Sequence, residues 1–274
     1  LCLSAQGALQ AETCEFTTST IRPDVWLDQR HGLTAGASLR ADLLRMESDY
    51  LQRYERRLEL VKTFSLRELF DDPTSRQTGF ESWSCAFEEL KKTGILNFQF
   101  KQLLFDRDYP DHYCRQISAV EVTLPVVMSA YKNVRATLLQ VGSSTATQPS
   151  PQSLEYFYGP ENGGAPADVL INLSSGQQVA LSVGLDDNGM AAFKPDEGLL
   201  NPFENTGAVS RWKLTFPWPE RIGQAAMLKS MTDILVKVRY TAKVGDAAFA
   251  KKVQEYVIEA DPMPETESEA NHHA

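Results

Sequence analysis

The chain has 274 residues, of which 42% are hydrophobic and 23% charged, which suffices for the core of one large domain or two modest ones. Its formal net charge is −9, and six negative charges follow Lys252, after which no Lys or Arg occurs. An anionic chain without a basic stripe repels phosphate backbones, which argues against nucleic acid as the main partner. The densest basic group, Arg53, Arg56 and Arg57, is typical of a solvated helix face.

The four cysteines, Cys2, Cys14, Cys85 and Cys114, show no CxxC spacing. They are too few for a disulfide framework, so we interpret them as free thiols of a chain folded in a reducing compartment, with a single disulfide left open. No apolar run reaches the roughly 18 residues of a membrane helix. Because the opening LCLSAQGALQA lacks an initiator Met and a basic start, we expect a piece of a longer protein rather than a signal remnant.

The first third of the chain predicts helices. Apolar residues recur in alternating steps of three and four, at Leu39, Leu43, Met46, Tyr50, Tyr54, Leu58 and Val61. This spacing predicts one long amphipathic helix, which needs a partner helix to bury its stripe. Asp72-Pro73 interrupts the pattern, and a shorter helix with Phe80, Trp83, Phe87 and Leu90 on one face is predicted to end at Gly94.

After Gly94 the hydrophobic period changes from 3.6 to 2. The alternating segments are Leu96–Phe100, Val120–Leu124, Val134–Leu138, Val169–Leu173, Val179–Val183, Trp212–Phe216 and Ile234–Tyr240. Such alternation is typical of antiparallel sheets with one wet face, and therefore of a β-sandwich. Turn signals are Ser143–Pro151, Gly159–Pro166 and Asp187–Gly189.

The predicted fold class is therefore α+β, with N-terminal amphipathic helices followed by a mainly antiparallel β-sandwich. We predict a helical region over residues 1–94, a β-sandwich over residues 95–260 and an acidic disordered tail over residues 261–274. A short helix is expected after the last strand, because Phe249, Val253, Tyr256 and Val257 share a face.

No specific constellation of catalytic or metal-ligating residues is apparent. His112 could pair with Asp106 or Asp108 for acid–base catalysis or metal binding, but no second ligand has metal spacing. The simpler interpretation is that Tyr109-Pro110 sets a turn in which His112 hydrogen-bonds the backbone. Asp186 and Asp187 are interpreted as turn residues, and His31, His272 and His273 as isolated. We therefore predict no enzyme activity, no cofactor and no metal.

The stretch from Phe105 to Pro125, FDRDYPDHYCRQISAVEVTLP, resembles a signature of the A subunits of Tc (toxin complex) insecticidal toxins. In that family the pattern runs Phe-Asp-x-Asp-Tyr-Pro-Gly-His-Tyr-x-Arg-Arg-Ile-Lys-x-Val, followed by a Val/Ile-rich strand and Pro. The matching residues are Phe105, Asp106, Asp108, Tyr109, Pro110, His112, Tyr113, Arg115, Ile117, Val120 and Pro125. Three further blocks agree in order: GLTAGASLRADLLRMESDYLQRYERRLELVKTFSLREL, NPFENTGAVSRWKLTFP and DILVKVRYTAK.

This resemblance implies a non-catalytic role. In the family, A subunits form a homopentamer whose central helices make a translocation channel, and the β domain after the signature forms the collar that docks the B subunit. The helices of residues 1–94 would then end the channel region, and residues 95–260 would bind the B subunit. The parent protein would be a secreted or cell-surface bacterial toxin without a classical signal peptide, touching membrane only through its channel.

Two alternatives remain open at this stage. A stand-alone carbohydrate-binding β-sandwich adhesin would present an exposed aromatic platform. A hydrolase would be built on His112 with Asp106 or Asp108. The partner-binding residues are unknown from the sequence. Trp212, Tyr109 and Arg115 are expected to belong to the framework rather than to the contact surface.

Overall fold

The computed structural model describes residues 2–13, 15, 19–22, 32, 34–53, 57–75, 77, 79–126, 134–159, 164–172, 177–181, 191–193 and 201–260. The chain divides into two compact units, Leu1–Leu58 and Glu59–Ala274. Among the helices that are described, none combines the length and the apolar character needed to cross a membrane.

The N-terminal unit contains two helices, α1 (Cys2–Thr13) and α2 (Ala35–Arg53). Asp42 on α2 has a fully buried side chain, whose Oδ1 lies 3.0 Å from Arg22 Nη2. The Ile21 amide donates to Gln6 Oε1 at 2.7 Å, so the short segment around Ile21 ties α1 to α2. The predicted stripe is only partly buried here, since Tyr50 on α2 remains exposed.

The second unit is built on two sheets. One has strand order β1-β9-β3-β7, and the other β2-β8-β4-β5 with β6 also pairing β4. Strands β2 to β9 pair antiparallel wherever their register is described. The strands are β1 (Leu58–Ser65), β2 (Ile95–Phe100), β3 (His112–Leu124), β4 (Thr137–Ala146), β5 (Val169–Asn172), β6 (Gln178–Ala180), β7 (Ala191–Phe193), β8 (Val209–Thr215) and β9 (Leu235–Val244).

The two sheets pack face to face around one hydrophobic core. Phe64 of β1 stacks on Phe100 of β2 with ring centroids 4.2 Å apart, and Trp212 of β8 is 1% exposed. The side chains that make this core alternate along each strand, as in β9, where Val236, Val238 and Tyr240 are buried. This alternation is what a sandwich with a single apolar interior requires.

Short helices close both ends of the sandwich. The helices are α3 (Leu66–Asp71), α4 (Trp83–Thr93), α5 (Gln102–Asp106), α6 (Pro151–Tyr158), α7 (Ile222–Ser230) and α8 (Ala247–Ala260). Helix α4 contacts α3 and α7, whereas α5, α6 and α8 contact one another. In the β3–β9 register, Thr123 pairs Leu235 at one end and His112 pairs Val244 at the other. We call the end with α3, α4 and α7 the loop end and the end with α5, α6 and α8 the corner end.

The predicted fold class, α+β with antiparallel sheets, is confirmed. The long helix is shorter than predicted: α2 ends at Arg53, and Leu58 and Val61 lie on β1 instead of a helix. The sequence of β1, LELVKTFS, also fits a period of two, and its alternate residues Leu60 and Phe64 contribute to the sandwich core. The sequence of this segment fits both a helical period and a strand period, and pairing with β9 makes it a strand.

The compact unit that holds the sandwich accordingly begins at Glu59, whereas the sequence places the change near residue 94. The predicted helix before Gly94 is confirmed as α4, and the helix after the last strand as α8. The predicted turn cluster at Ser143–Pro151 is wrong for residues 143–146, which extend β4 because they pair with β5 and β8. The turn at Asp187–Gly189 and the tail at 261–274 lie outside the described residues.

Candidate functional site

The centre of the signature is a buried ion pair. Asp106, the last residue of α5, and Arg115 on β3 have side chains that are 0% and 3% exposed, and Asp106 Oδ1 lies 2.7 Å from Arg115 Nη2. The short turn between α5 and β3 returns the chain so that two residues nine positions apart meet. We call the segment Gln102–Arg115 the signature corner.

Three further hydrogen bonds surround this ion pair. Tyr158 Oη of α6 donates to Asp106 Oδ2 at 2.7 Å, and Gln102 Nε2 donates to Asp106 Oδ1 at 3.1 Å. Arg115 Nη2 donates to the carbonyl oxygen of Tyr109 at 2.8 Å. The carboxylate thus connects α5, α6 and β3, which makes the signature corner a structural joint of the corner end.

The electrostatics of Asp106 also indicate a structural role. Burial raises the pKa of its carboxyl group, and the charge of Arg115 opposes that rise. Burial and the neighbouring carboxylate raise the pKa of Tyr158 far above its ordinary value, so its hydroxyl remains a donor. Since both carboxylate oxygens already accept hydrogen bonds, Asp106 is poorly placed to act as a general base.

His112 is buried but is not part of a catalytic pair with Asp106 or Asp108. Its ring stacks on Tyr109 with centroids 4.8 Å apart, and its Nε2 lies 3.6 Å from Asp111 Oδ1. Its Nδ1 is buried without a hydrogen-bond partner among the described residues, and burial lowers the pKa of the imidazole. Asp108 instead pairs with Lys62 Nζ at 2.6 Å.

The backbone at His112 forms the turn that the sequence suggests, because its amide donates to the carbonyl oxygen of Tyr109 at 3.3 Å. The ring itself stacks rather than bonding the backbone as expected. Among the residues with assigned positions, no group of three or more His, Cys, Asp and Glu side chains could hold a metal ion. Cys2 and Cys85 are free thiols, while Cys14 lies outside the described part of the chain.

The second sequence block interlocks with the first. Phe203 and Asn205 have φ angles of 71° and 61°, in the left-handed region that non-glycine residues rarely adopt. In this conformation the Asn205 amide donates to the Ile117 carbonyl at 2.8 Å, and Ala208 donates to the Arg115 carbonyl at 3.0 Å. The β3 strand is irregular at this point, with register shifts between Tyr113 and Ala119. The two blocks therefore specify one backbone junction.

The residues expected to belong to the framework differ in exposure. Trp212 and Arg115 lie in the interior, whereas the ring of Tyr109 is 42% exposed. No partner-binding residue was predicted from the sequence, but the structure contains one candidate segment. This segment is Phe216–Ile222 at the loop end, which we call the tryptophan loop.

The tryptophan loop presents large apolar side chains to solvent. Trp218 is 51% exposed and Ile222, the first residue of α7, is 90% exposed. The guanidinium carbon of Arg221 lies 4.5 Å from the centroid of the Trp218 ring, a cation–π contact. The signal that could have found it is the Pro-Trp-Pro sequence of Pro217–Pro219, which places a tryptophan where neither strand nor helix continues.

Comparisons with known proteins agree with one another. The family model described as "Tc toxin complex TcA C-terminal TcB-binding domain" matches residues 1–242. Toxin subunit YenA2 of Yersinia entomophaga is 32% identical over 254 residues, which are 93% of this chain and 18% of that protein. The chain thus spans less than a fifth of this curated relative.

Solved structures show the same fold. The cryo-EM structure of Morganella morganii TcdA4 superposes with a TM-score of 0.60 at 25% identity, over 88% of this chain and 10% of that one. The cryo-EM structure of Yersinia pseudotuberculosis TcaA–TcaB gives a TM-score of 0.56 at 21% identity, over 89% of this chain and 13% of that one. With the family model matching nearly the whole chain, this chain belongs to the C-terminal TcB-binding domain family of Tc toxin A subunits.

Proposed function

We propose that this chain is the assembly module through which a Tc toxin A subunit docks its B subunit. The observation that carries the proposal is the match of the TcB-binding domain family over residues 1–242. The buried signature corner supports it, because Asp106, Arg115 and Tyr158 fix one end of the sandwich rigidly. A rigid platform loses little conformational entropy when a folded partner seats on it.

The finer assembly follows the resemblance. Five copies would form a collar above a translocation channel, with the helices of residues 1–94 belonging to the end of the channel region and residues 95–260 carrying the B-subunit contact. The chain would act as part of a secreted or cell-surface bacterial toxin. The exposed apolar residues Leu44, Tyr50 and Leu51 on α2 support a helix that packs against further helices.

We propose that the module has no catalytic activity. The three residues of the hydrolase alternative each have another partner: Asp106 binds Arg115, Asp108 binds Lys62, and His112 stacks on Tyr109. The carbohydrate-binding adhesin is not favoured by the comparisons, which lead to toxin A subunits.

A pull-down with the B subunit of the same toxin tests the proposal. The chain is immobilised, the cognate B subunit is applied, and the mass of the eluted complex is determined by light scattering. A chain denatured and bound to the same resin serves as the control for nonspecific capture. We expect retention of the B subunit by the folded chain only. No retention under conditions in which the full-length A subunit binds would refute the docking function.

A further inference from the structure

We infer that the tryptophan loop is the anchoring contact for the B subunit, with Trp218, Arg221 and Ile222 inserted into the partner. This inference rests on the proposed docking function and assigns it to a place. Trp218 and Ile222 lie four positions apart and are both exposed, and the Arg221 guanidinium contacts the Trp218 ring. Buried Trp and Arg side chains are the residue types that most often dominate the binding energy of protein interfaces.

The loop is held rigidly by its surroundings. The Phe216 amide donates to the Gly94 carbonyl at 2.6 Å, and the Arg221 amide donates to the Trp218 carbonyl at 3.1 Å. Gly94 packs so closely that a Cβ there would lie 2.3 Å from the Phe216 carbonyl oxygen and 3.2 Å from the Pro219 ring. The two prolines that flank Trp218 restrict the backbone further. An exposed tryptophan on such a loop is pre-ordered for binding.

The backbone of Trp218 is strained as well. Its φ angle is 50°, in the left-handed region that a bulky side chain adopts only at a cost. Elsewhere in the unit, Asn205 adopts such an angle where its amide bonds Ile117 on β3, and Phe203 adopts one where its side chain is buried. At Trp218 the same conformation leaves the indole half-exposed. The strained backbone is therefore not explained by packing of that ring in the core.

Within the second unit, the loop end lies opposite the end at which β1 begins. The Leu66 amide, just after β1, bonds the Ile234 carbonyl at the start of β9, so β1 finishes at the loop end. Earlier in β1, Lys62 bonds Asp108 of the signature corner, so β1 begins toward the corner end. The polypeptide therefore enters the second unit at the corner end, where α5, α6 and α8 also pack.

The chemistry of the loop defines the matching surface on the partner. We expect an apolar pocket that takes the indole of Trp218 and the side chain of Ile222. We expect a carboxylate or carbonyl oxygen beside it that accepts from the Arg221 guanidinium. Polar groups at the rim would exclude water from this contact.

Binding measurements on three variants test the inference. Trp218→Asn removes the indole, and Asn tolerates the left-handed backbone better than Ala would. Ile222→Ser removes an apolar side chain that is 90% exposed. The matched control is Val61→Ser, which removes an apolar side chain that is 58% exposed on β1. Each purified chain is titrated with the cognate B subunit by biolayer interferometry, and folding is checked by urea denaturation.

We expect Trp218→Asn to weaken B-subunit binding at least tenfold, Ile222→Ser to weaken it severalfold, and Val61→Ser to leave it unchanged, with none of the three markedly less stable to urea than the unaltered chain. If the unaltered chain binds and both loop variants bind as tightly, the assignment to the tryptophan loop is overturned while the docking function stands. If the unaltered chain fails to bind B subunit but binds a glycan through Trp218, both the docking function and this inference are overturned.

Discussion

Replacing Arg115 by Met tests the account of the signature corner through its dependence on pH. Methionine retains much of the side-chain length but removes the positive charge that lies 2.7 Å from Asp106 Oδ1. The Asp106 side chain is completely buried, so its carboxylate loses its counter-charge without gaining access to water. Removing one partner of a buried ion pair costs about 3–5 kcal/mol, and we expect Arg115→Met to lose this at pH 8.

The raised pKa of the Asp106 carboxyl group sets the direction in which stability changes with pH. Burial already raises the pKa of Asp106 in the folded state, and removing Arg115 raises it further. A folded-state pKa above the unfolded value means that protonation favours folding. The loss of stability in Arg115→Met therefore grows as pH rises through the folded pKa and shrinks on acidification. The relief amounts to about 1.4 kcal/mol per pH unit while only the folded state binds the proton.

The assay is urea denaturation at pH 8 and pH 5.5, followed by tryptophan fluorescence and linear extrapolation. Trp212 reports on the core, since it is 1% exposed. Lys91→Met is the control, because it breaks a surface pair with Glu88, and such pairs contribute little to stability. In Asp106→Asn/Arg115→Met the additional pH dependence of Arg115→Met should be absent, because the titrating carboxyl group is gone. Equal destabilisation of Arg115→Met at both pH values would refute the reasoning.

Two further substitutions give independent tests. Gly94 has a φ of 72° and ends α4. Gly94→Ala should lower the free energy of unfolding in urea by more than about 2 kcal/mol, because the left-handed backbone and the close Phe216 carbonyl both oppose a Cβ. A change below about 0.5 kcal/mol would contradict this packing. Burial lowers the pKa of His112, so its contribution to stability is present above the unfolded pKa and lost as pH falls through the folded pKa. His112→Gln should therefore lose less stability than the unaltered chain between pH 7 and pH 5.5, and parallel denaturation profiles would refute the assignment.

The sequence predicted the regular core well because the physics there is local and periodic. Alternation along β8 and β9 sets which side chains face the interior, and the structure buries Trp212, Val236 and Tyr240 accordingly. The end of α4 was also readable, since Gly94 supplies the left-handed residue that terminates a helix.

Elements that form because of tertiary contacts could not be predicted from the sequence. Helix α5 has only five residues, all of them buried, so no amphipathic period exists to detect. Helix α6 begins at Pro151 within a Ser/Thr/Pro-rich stretch that resembles a loop, and its role becomes visible only when Tyr158 reaches Asp106. The identity of β1 depended on pairing with β9, which lies some 170 residues later.

The candidate contact surface was hidden for a different reason. A tryptophan has a strong tendency to be buried, and exposure depends on how the loop around Trp218 is fixed against Gly94. That contact joins two segments more than 100 positions apart in the sequence, so the local Pro-Trp-Pro pattern indicates a turn but does not show that the ring is exposed.

Hydrogen–deuterium exchange of the chain with and without its cognate B subunit would locate the docking surface on the unaltered molecule, without any substitution. We expect slower exchange of the amides at the loop end, in residues 216–223, when the B subunit is bound. We expect no change at the signature corner, where the amides of β3 are already bonded. Protection confined to the corner end, or no protection anywhere at saturating B subunit, would contradict docking at the loop end.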